Sequence, residues 1–333
     1  MPILDRRSLF GAAAALPFLP AAATPARATA PARAQLPPAW HRFKIGEFEA
    51  TVASDGALPL GPPQPVFTNS SAAEMDALLR AAFLPTDATI LEQNGLVVNT
   101  GRHLVLFDTG MGTSMGPQAT KEAGGPWCSR LLDNLRAAGI TPEQIDLVAV
   151  THAHCDHVWG LVDERGNKVF PNAQVAVSEA DLKFWTDDGN KRGPAFMTPF
   201  VEGAKKNLGA YRDRLVMVRD GAEVVPGITA IATPGHTVGH HVYAITSGNQ
   251  TVVNTGDLAH HHILLVRKPM WEFSFDTDPK QSARTRTRML DSFAANRTAI
   301  LSYHFPWPGL GHVAKEGEGF AWIPTPTNVT TLG

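Results

Sequence analysis

The chain has 333 residues, 44% of them hydrophobic, with 29 Lys and Arg against 31 Asp and Glu. That is ample apolar material for a full globular core. The near-balanced charge, with no basic cluster interleaved with aromatics, argues against nucleic acid as a partner.

The chain opens on a segment that reads as an export leader. Arg6-Arg7-Ser8-Leu9-Phe10 precedes a small-residue apolar stretch over 11–23, and Ala-x-Ala sites follow at Ala26-Arg27-Ala28 and Ala32-Arg33-Ala34. A charged start, an apolar middle and a small-residue cleavage site make a secretory signal. The paired arginines point to the twin-arginine route and a periplasmic location. Pro17 and Pro20 interrupt the stretch, so it makes a poor spanning helix, and no stable membrane insertion is expected after signal removal. The expected division is a signal and linker over 1–34 and a single domain over 35–333. Cys128 and Cys155 read as free and packed, because a disulfide at Cys155 would distort the histidine-rich loop around it.

Further along, residues 48–56 read as a strand running into a turn, and 71–83 as a short amphipathic helix. Two short strands follow at 95–101 and 103–110, joined by a tight turn. Residues 131–138 carry helical spacing and stop at Gly139. An apolar run over 145–151 then delivers His152-Ala153-His154-Cys155-Asp156-His157. Later apolar runs end the same way: 228–233 leads to His236, 251–255 to Asp257, and 298–303 to His304. Helices are expected over 178–185, 196–208 and 279–295, the last with Asp278 as cap and Pro279 in its first turn. This alternation of strands and helices indicates an α/β domain. Strands that each end in His or Asp would converge their ligands along one edge of the sheet core.

Neutral imidazoles and carboxylates suit zinc and other late first-row divalent metals. A structural zinc takes four ligands, whereas His152, His154, Asp156, His157, His236, Asp257 and His304 make seven. Seven suit two metals sharing a carboxylate, an arrangement that activates water and polarises a substrate oxygen.

The order His-x-His-x-Asp-His, then Thr233-Pro234-Gly235-His236-Thr237, then Gly256-Asp257, then His304, resembles the metallo-β-lactamase fold hydrolases. The resemblance implies a four-layer αββα sandwich with two divalent metal ions, zinc foremost, at the strand ends. It implies one metal on His152, His154 and His236 and another on Asp156, His157 and His304, with Asp257 bridging and a hydroxide between the metals as nucleophile. It also implies a structural role for Asp108, and a supporting rather than ligating role for His240.

Asp257 separates the chain from true β-lactamases, and His154 separates it from the di-iron electron-transfer branch. The group it resembles most contains the methyl parathion hydrolase-like proteins and quorum-quenching lactonases. The segments at 47–56 and 170–173, and the tail Phe305-Pro306-Trp307-Pro308-Gly309-Leu310-Gly311-His312, carry that likeness. Met115 stands where methyl parathion hydrolase has an aromatic, and His260 where the lactonases have a tyrosine.

His260 is accordingly expected to act beside Asp257 on the substrate oxygen or leaving group. Met115, Trp185 and Trp271 are expected to touch substrate, with Phe184, Phe200, Phe273 and Trp307 as further candidates for an apolar cup. Arg284, Arg286 and Arg288 read as a solvated helix face. The function implied is an exported metal-dependent hydrolase of small lactones or aryl esters, with side activity on organophosphate triesters. The alternatives are a phosphotriesterase as main activity and a non-catalytic metal-binding or sensing protein on the same fold. Expected partners are a small-molecule substrate and, as an option, a second copy of the chain.

Overall fold

Two seven-stranded sheets face each other across a shared apolar layer. The computed structural model describes residues 39–125 and 127–327, so the expected signal lies outside the described residues. The described residues cluster as one unit. The first sheet runs in chain order: β1 (Trp40–Ile45), β2 (Phe48–Gly61), β3 (Thr89–Asn99), β4 (Leu104–Phe107), β5 (Leu147–Ala149), β6 (Gln174–Ser178) and β7 (Leu215–Val218). Its first four strands pair antiparallel and the rest join in parallel. The second sheet holds β8 (Glu223–Val225), β9 (Ile228–Ala232), β10 (His241–Ser247), β11 (Gln250–Asn254), β12 (Ala299–Leu301), β13 (Leu310–Glu316) and β14 (Gly319–Pro324). Only β11 and β12 pair in parallel there.

The helices are α1 (Ala72–Ala81), α2 (Pro117–Gly124), α3 (Leu131–Ala137), α4 (Cys155–Val158), α5 (Glu179–Thr186), α6 (Met197–Ala210), α7 (Leu264–Arg267) and α8 (Pro279–Asn296). The period of two explains how the layers form. Leu96, Val98, Val105, Phe107, Leu147 and Ala149 meet Tyr243, Ile245, Val252 and Leu301 between the sheets. The alternate residues Val97, Leu106, Val148 and Val150 point outward, onto α3, α4, α5 and α6. On the far side Val242, Val253 and Ile300 pack against α1, α7 and α8. The result is the four-layer αββα sandwich.

Several helix starts follow from their caps. Ser71 accepts from Glu74 N–H, Ser178 from Ala180 and Asp181 N–H, and Asp278 from Gln281 N–H. Each such cap contributes about 1 kcal/mol. The strand expected over 298–303 ends at Leu301, because the chain turns there: Ser302 N–H bonds back to Gly309 O. That turn carries His304 inward. Both cysteines are free, as the sequence indicates. Among the described residues no helix is long and apolar enough to cross a membrane.

Candidate metal centre

Four strand ends from two sheets supply the centre. β5 leads into His152, His154, Asp156 and His157, β9 into His236, β11 into Asp257 and β12 into His304. All seven side chains are buried. Their donor atoms fall into overlapping groups, each within 4.8 Å: His152, His154 and His236; His152, His157 and Asp257; Asp156, His157 and His304. Asp257 stands between the outer groups. Its Oδ2 lies 3.3 Å from His236 Nε2 and 3.2 Å from His304 Nε2, and its Oδ1 lies 3.2 Å from His157 Nε2.

The far nitrogens of the rings are held from behind. Asp108 Oδ2 sits 2.9 Å from His157 Nδ1 and also accepts from Thr151 Oγ1–H, which in turn neighbours His152 Nδ1 at 3.1 Å. Asp276 Oδ1 lies 2.8 Å from His236 Nδ1, and Glu92 O lies 2.7 Å from His304 Nδ1. Such partners fix tautomer and orientation, leaving Nε2 to ligate. Asp108 adopts a left-handed φ of 61°, which turns its carboxylate back toward the loop.

The donor set passes a direct test of fit. His154 Nε2, Asp156 Oδ2, His157 Nε2 and Asp257 Oδ1 are buried and have no hydrogen-bond partner. Orphaned buried acceptors at one point are costly unless a cation satisfies them. These atoms could hold two divalent metals with Asp257 between them.

His240 plays another part. Its Nε2 accepts from Asp257 N–H at 3.1 Å and its Nδ1 lies 2.8 Å from Thr233 Oγ1, so it steadies the backbone of Asp257. Gly256 makes that approach feasible. At φ 47° a Cβ there would come within 3.0 Å of both the Thr151 side chain and His240 Nε2.

The electrostatics separate the imidazoles. Burial holds His152, His154 and His240 well below the usual histidine range. Burial acts the same way on His157 and His304, but Asp257 and Asp156 outweigh it and raise both. For His236, burial is outweighed by Asp257 and Asp276, which lift it to about 9. Burial takes His260 down to about 3, leaving it neutral despite Asp257.

Beside the donors opens a cavity of about 550 Å³. Leu58, Leu60, Leu91, Phe196, Phe200, Phe273 and Phe275 make its apolar wall, and Asp257, His260 and His304 part of its floor. His260 Nε2 lies 3.0 Å from Asp257 Oδ2, its Nδ1 has no partner, and its ring stacks on Phe273 at 3.8 Å. His261 Nδ1 instead accepts from Ile263 and Leu264 N–H, capping the start of α7.

The structure places the expected substrate contacts apart from this cavity. Met115, Trp185 and Trp271 do not line this cavity. Trp185 is buried behind His154, edge-on at 4.8 Å, and Trp271 packs in the core beneath α8. Met115 is half-buried against the core outside the first sheet, and the segment after it reaches the cavity through Ala119, Glu122 and Ala123 of α2. Of the other aromatic candidates, Phe200 and Phe273 line the cavity, whereas Phe184 and Trp307 do not.

Three polar residues escape a reading of the sequence. Asp276 follows no strand and has no fixed spacing to His236. Asp181 accepts from Ala153 N–H, Gly239 N–H and Thr237 Oγ1–H, and its only trace is the capping serine at 178. Arg286, expected on a solvated face, is fully buried. Spacing of two turns each residue about 200° around a helix, so Arg284 and Arg288 face out while Arg286 faces in.

Comparison with known proteins agrees with this geometry. A family model described as the metallo-beta-lactamase superfamily matches residues 88–304. Among curated relatives, the uncharacterized protein YobT of Bacillus subtilis (strain 168) is 30% identical over 156 residues, covering 46% of this chain and 65% of YobT. Metallo-beta-lactamase domain-containing protein 1 of Mus musculus is 29% identical over 172 residues, covering 51% of this chain and 54% of that protein. The chain thus spans only 54–65% of the length of these two relatives. Among solved structures, AidC, a dizinc quorum-quenching lactonase seen with a product, matches at a TM-score of 0.80 and 29% identity, over 86% of this chain and 97% of its own. The hydrolase AbOPH matches at 0.80 and 28%, over 88% and 99%.

Proposed function

From the chain's membership of the metallo-beta-lactamase superfamily, we propose that it hydrolyses small neutral lactones or aryl esters with two divalent metals, zinc foremost, and organophosphate triesters as secondary substrates. One observation carries the reading: buried, partnerless donor atoms from both sheets meet around Asp257 at the floor of an apolar cavity. In this reading His152, His154 and His236 would hold one metal and Asp156, His157 and His304 the other, with Asp257 available to both. Bound there, the two metals would supply an activated water and the positive charge that polarises a carbonyl or phosphoryl oxygen.

The chain's own groups supply the rest. The cavity wall takes up an acyl or aryl group and excludes water, which strengthens the electrostatic interactions inside. Asp108, Asp276 and Glu92 O keep the ring nitrogens aimed. His260, neutral and unpartnered at Nδ1, stands beside Asp257, where its free ring nitrogen can orient the substrate or the attacking water by a hydrogen bond. The resemblance to a quorum-quenching lactonase favours the ester and lactone side over the phosphotriester side.

Export to the periplasm belongs to the same proposal and rests on Arg6-Arg7 and the apolar stretch after it. Retention of the chain in the cytoplasm after cell fractionation would refute that part.

The hydrolytic reading is tested by a kinetic panel of lactones, aryl esters and phosphotriesters on metal-analysed protein. Turnover of esters or lactones is expected, with loss of both activity and metal in His152→Ala and Asp257→Asn. Two metals per chain without turnover on the panel would instead favour a non-catalytic metal-binding protein.

A further inference from the structure

Arg286 of α8 is fully buried and makes four hydrogen bonds and one ion pair. Nε donates to Leu258 O at 2.9 Å; Nη1 donates to Pro269 O at 2.9 Å and Trp271 O at 2.7 Å. Nη2 donates to Ser282 Oγ at 3.1 Å and lies 3.6 Å from Asp276 Oδ2. A guanidinium has five N–H donors; four of them make hydrogen bonds here, and the fifth side of the fork faces the Asp276 carboxylate as an ion pair. Two of the contacts lead to candidate ligands. Leu258 is the neighbour of Asp257, and the other oxygen of Asp276 sits 2.8 Å from His236 Nδ1.

A buried ion pair is weak evidence for stability, since desolvation offsets its attraction. What this one provides is geometry. The planar fork spans four backbone or hydroxyl acceptors and a carboxylate at once, and a lysine, with three donors on a point charge, cannot. We propose that Arg286 is a positioning residue for the metal held by His152, His154 and His236: it holds Asp276 against His236 and fixes the backbone beside Asp257. This rests on the metal reading of the centre given above.

The test is metal affinity, measured apart from turnover. Chelator competition on the zinc-loaded protein gives two dissociation constants, and His154→Ala identifies the one belonging to the three-histidine position. In Arg286→Lys that constant should weaken about 10–100-fold, the range for losing an outer partner of a ligand, with the other changed much less. Asp276→Leu should act alike. The double variant should be no weaker than the worse single one, because both act along one path. Equal weakening at both positions, additive effects, or an unchanged constant in Arg286→Lys would overturn the proposal. If Arg286→Lys does not fold, Asp276→Asn and Asp276→Leu carry the test, and an unchanged three-histidine constant in both overturns it. Wild-type protein that binds no metal would overturn the reading of the centre itself, and this inference with it; intact wild-type loading with unaffected variants would overturn only the inference.

Discussion

Asp181 accepts a 2.6 Å hydrogen bond from the backbone N–H of Gly239, joining a helix packed on the first sheet to a loop of the second. The same carboxylate accepts from Ala153 N–H at 2.9 Å, between His152 and His154, and from Thr237 Oγ1–H at 2.9 Å, next to His236. Burial pushes its acid up to about 6, so at neutral pH the carboxylate form faces three donors. Asp181→Asn should set an amide NH2 against at least one of them, leaving a buried donor unpaired at a cost of about 1–3 kcal/mol. The expected result is a lower Tm together with reduced metal content. An unchanged metal content would show that Asp181 is structural only.

Metal uptake should release protons. Without metal, His236 titrates near 9, because Asp257 and Asp276 outweigh burial, and His157 and His304 are raised as well. The folded metal-free chain therefore binds protons at neutral pH that its unfolded form does not. The stabilisation from His236 is full below its ordinary value of 6.5 and is lost as pH rises through about 9. A metal must displace these protons, so apparent affinity should climb from pH 6 toward 9. Calorimetry in buffers of different ionisation enthalpy would measure the number released. A count of zero at pH 7 is the result that contradicts this.

The cavity wall should set acyl preference. Phe200 lies against the His154 ring with centroids 5.2 Å apart and lines the cavity. Phe200→Ala should cost about 3–5 kcal/mol of stability by leaving a void. It should also raise KM for long-chain acyl lactones about tenfold, equivalent to about 1.4 kcal/mol of lost apolar contact. Short esters, which do not reach the wall, should keep their KM. Equal changes for long and short substrates would argue against an acyl site there.

Gly256→Ala should act on the centre through Asp257. The left-handed backbone at φ 47° already costs a side chain about 1–2 kcal/mol. The added methyl would press on Thr151 and His240 Nε2, the group that accepts from Asp257 N–H. The expected outcome is a folded protein with weaker metal binding, checked by circular dichroism alongside metal analysis. Wild-type metal affinity in this variant would mean that His240 does not govern the placement of Asp257.

The candidate donors were legible because they sit just past strand ends. Four of them fall within six residues, and β9, β11 and β12 each deliver one more. The α/β alternation was legible for a similar reason, since strand periodicity and helix caps are local, whereas the αββα layering came only from the family resemblance. What surrounds the donors was not. Phe196 and Phe275 stand beside each other in the cavity wall, with rings 5.0 Å apart, yet are 79 positions apart in the chain (275 minus 196). Trp185 and Trp271 looked suited to substrate because large aromatics suit pockets, but the same apolar surface draws them into the core. Arg286 looked solvated because arginines on a helix normally are, and its burial is made tolerable by the carbonyls of Leu258, Pro269 and Trp271, the Ser282 hydroxyl and the Asp276 carboxylate.

Among the described residues the two sheets share no strand, and the chain passes between them once, from β7 at Val218 to β8 at Glu223. Four of the seven donor residues lie before that passage and three after it. A single cut there would make two fragments, each carrying an incomplete set of chelating side chains. Reassembly of such fragments would then answer to metal concentration as well as to their apolar faces. A chelator would act as a wedge at the rim, and the molecule could serve as a split reporter whose signal is set by the free concentration of whichever divalent metal the centre takes.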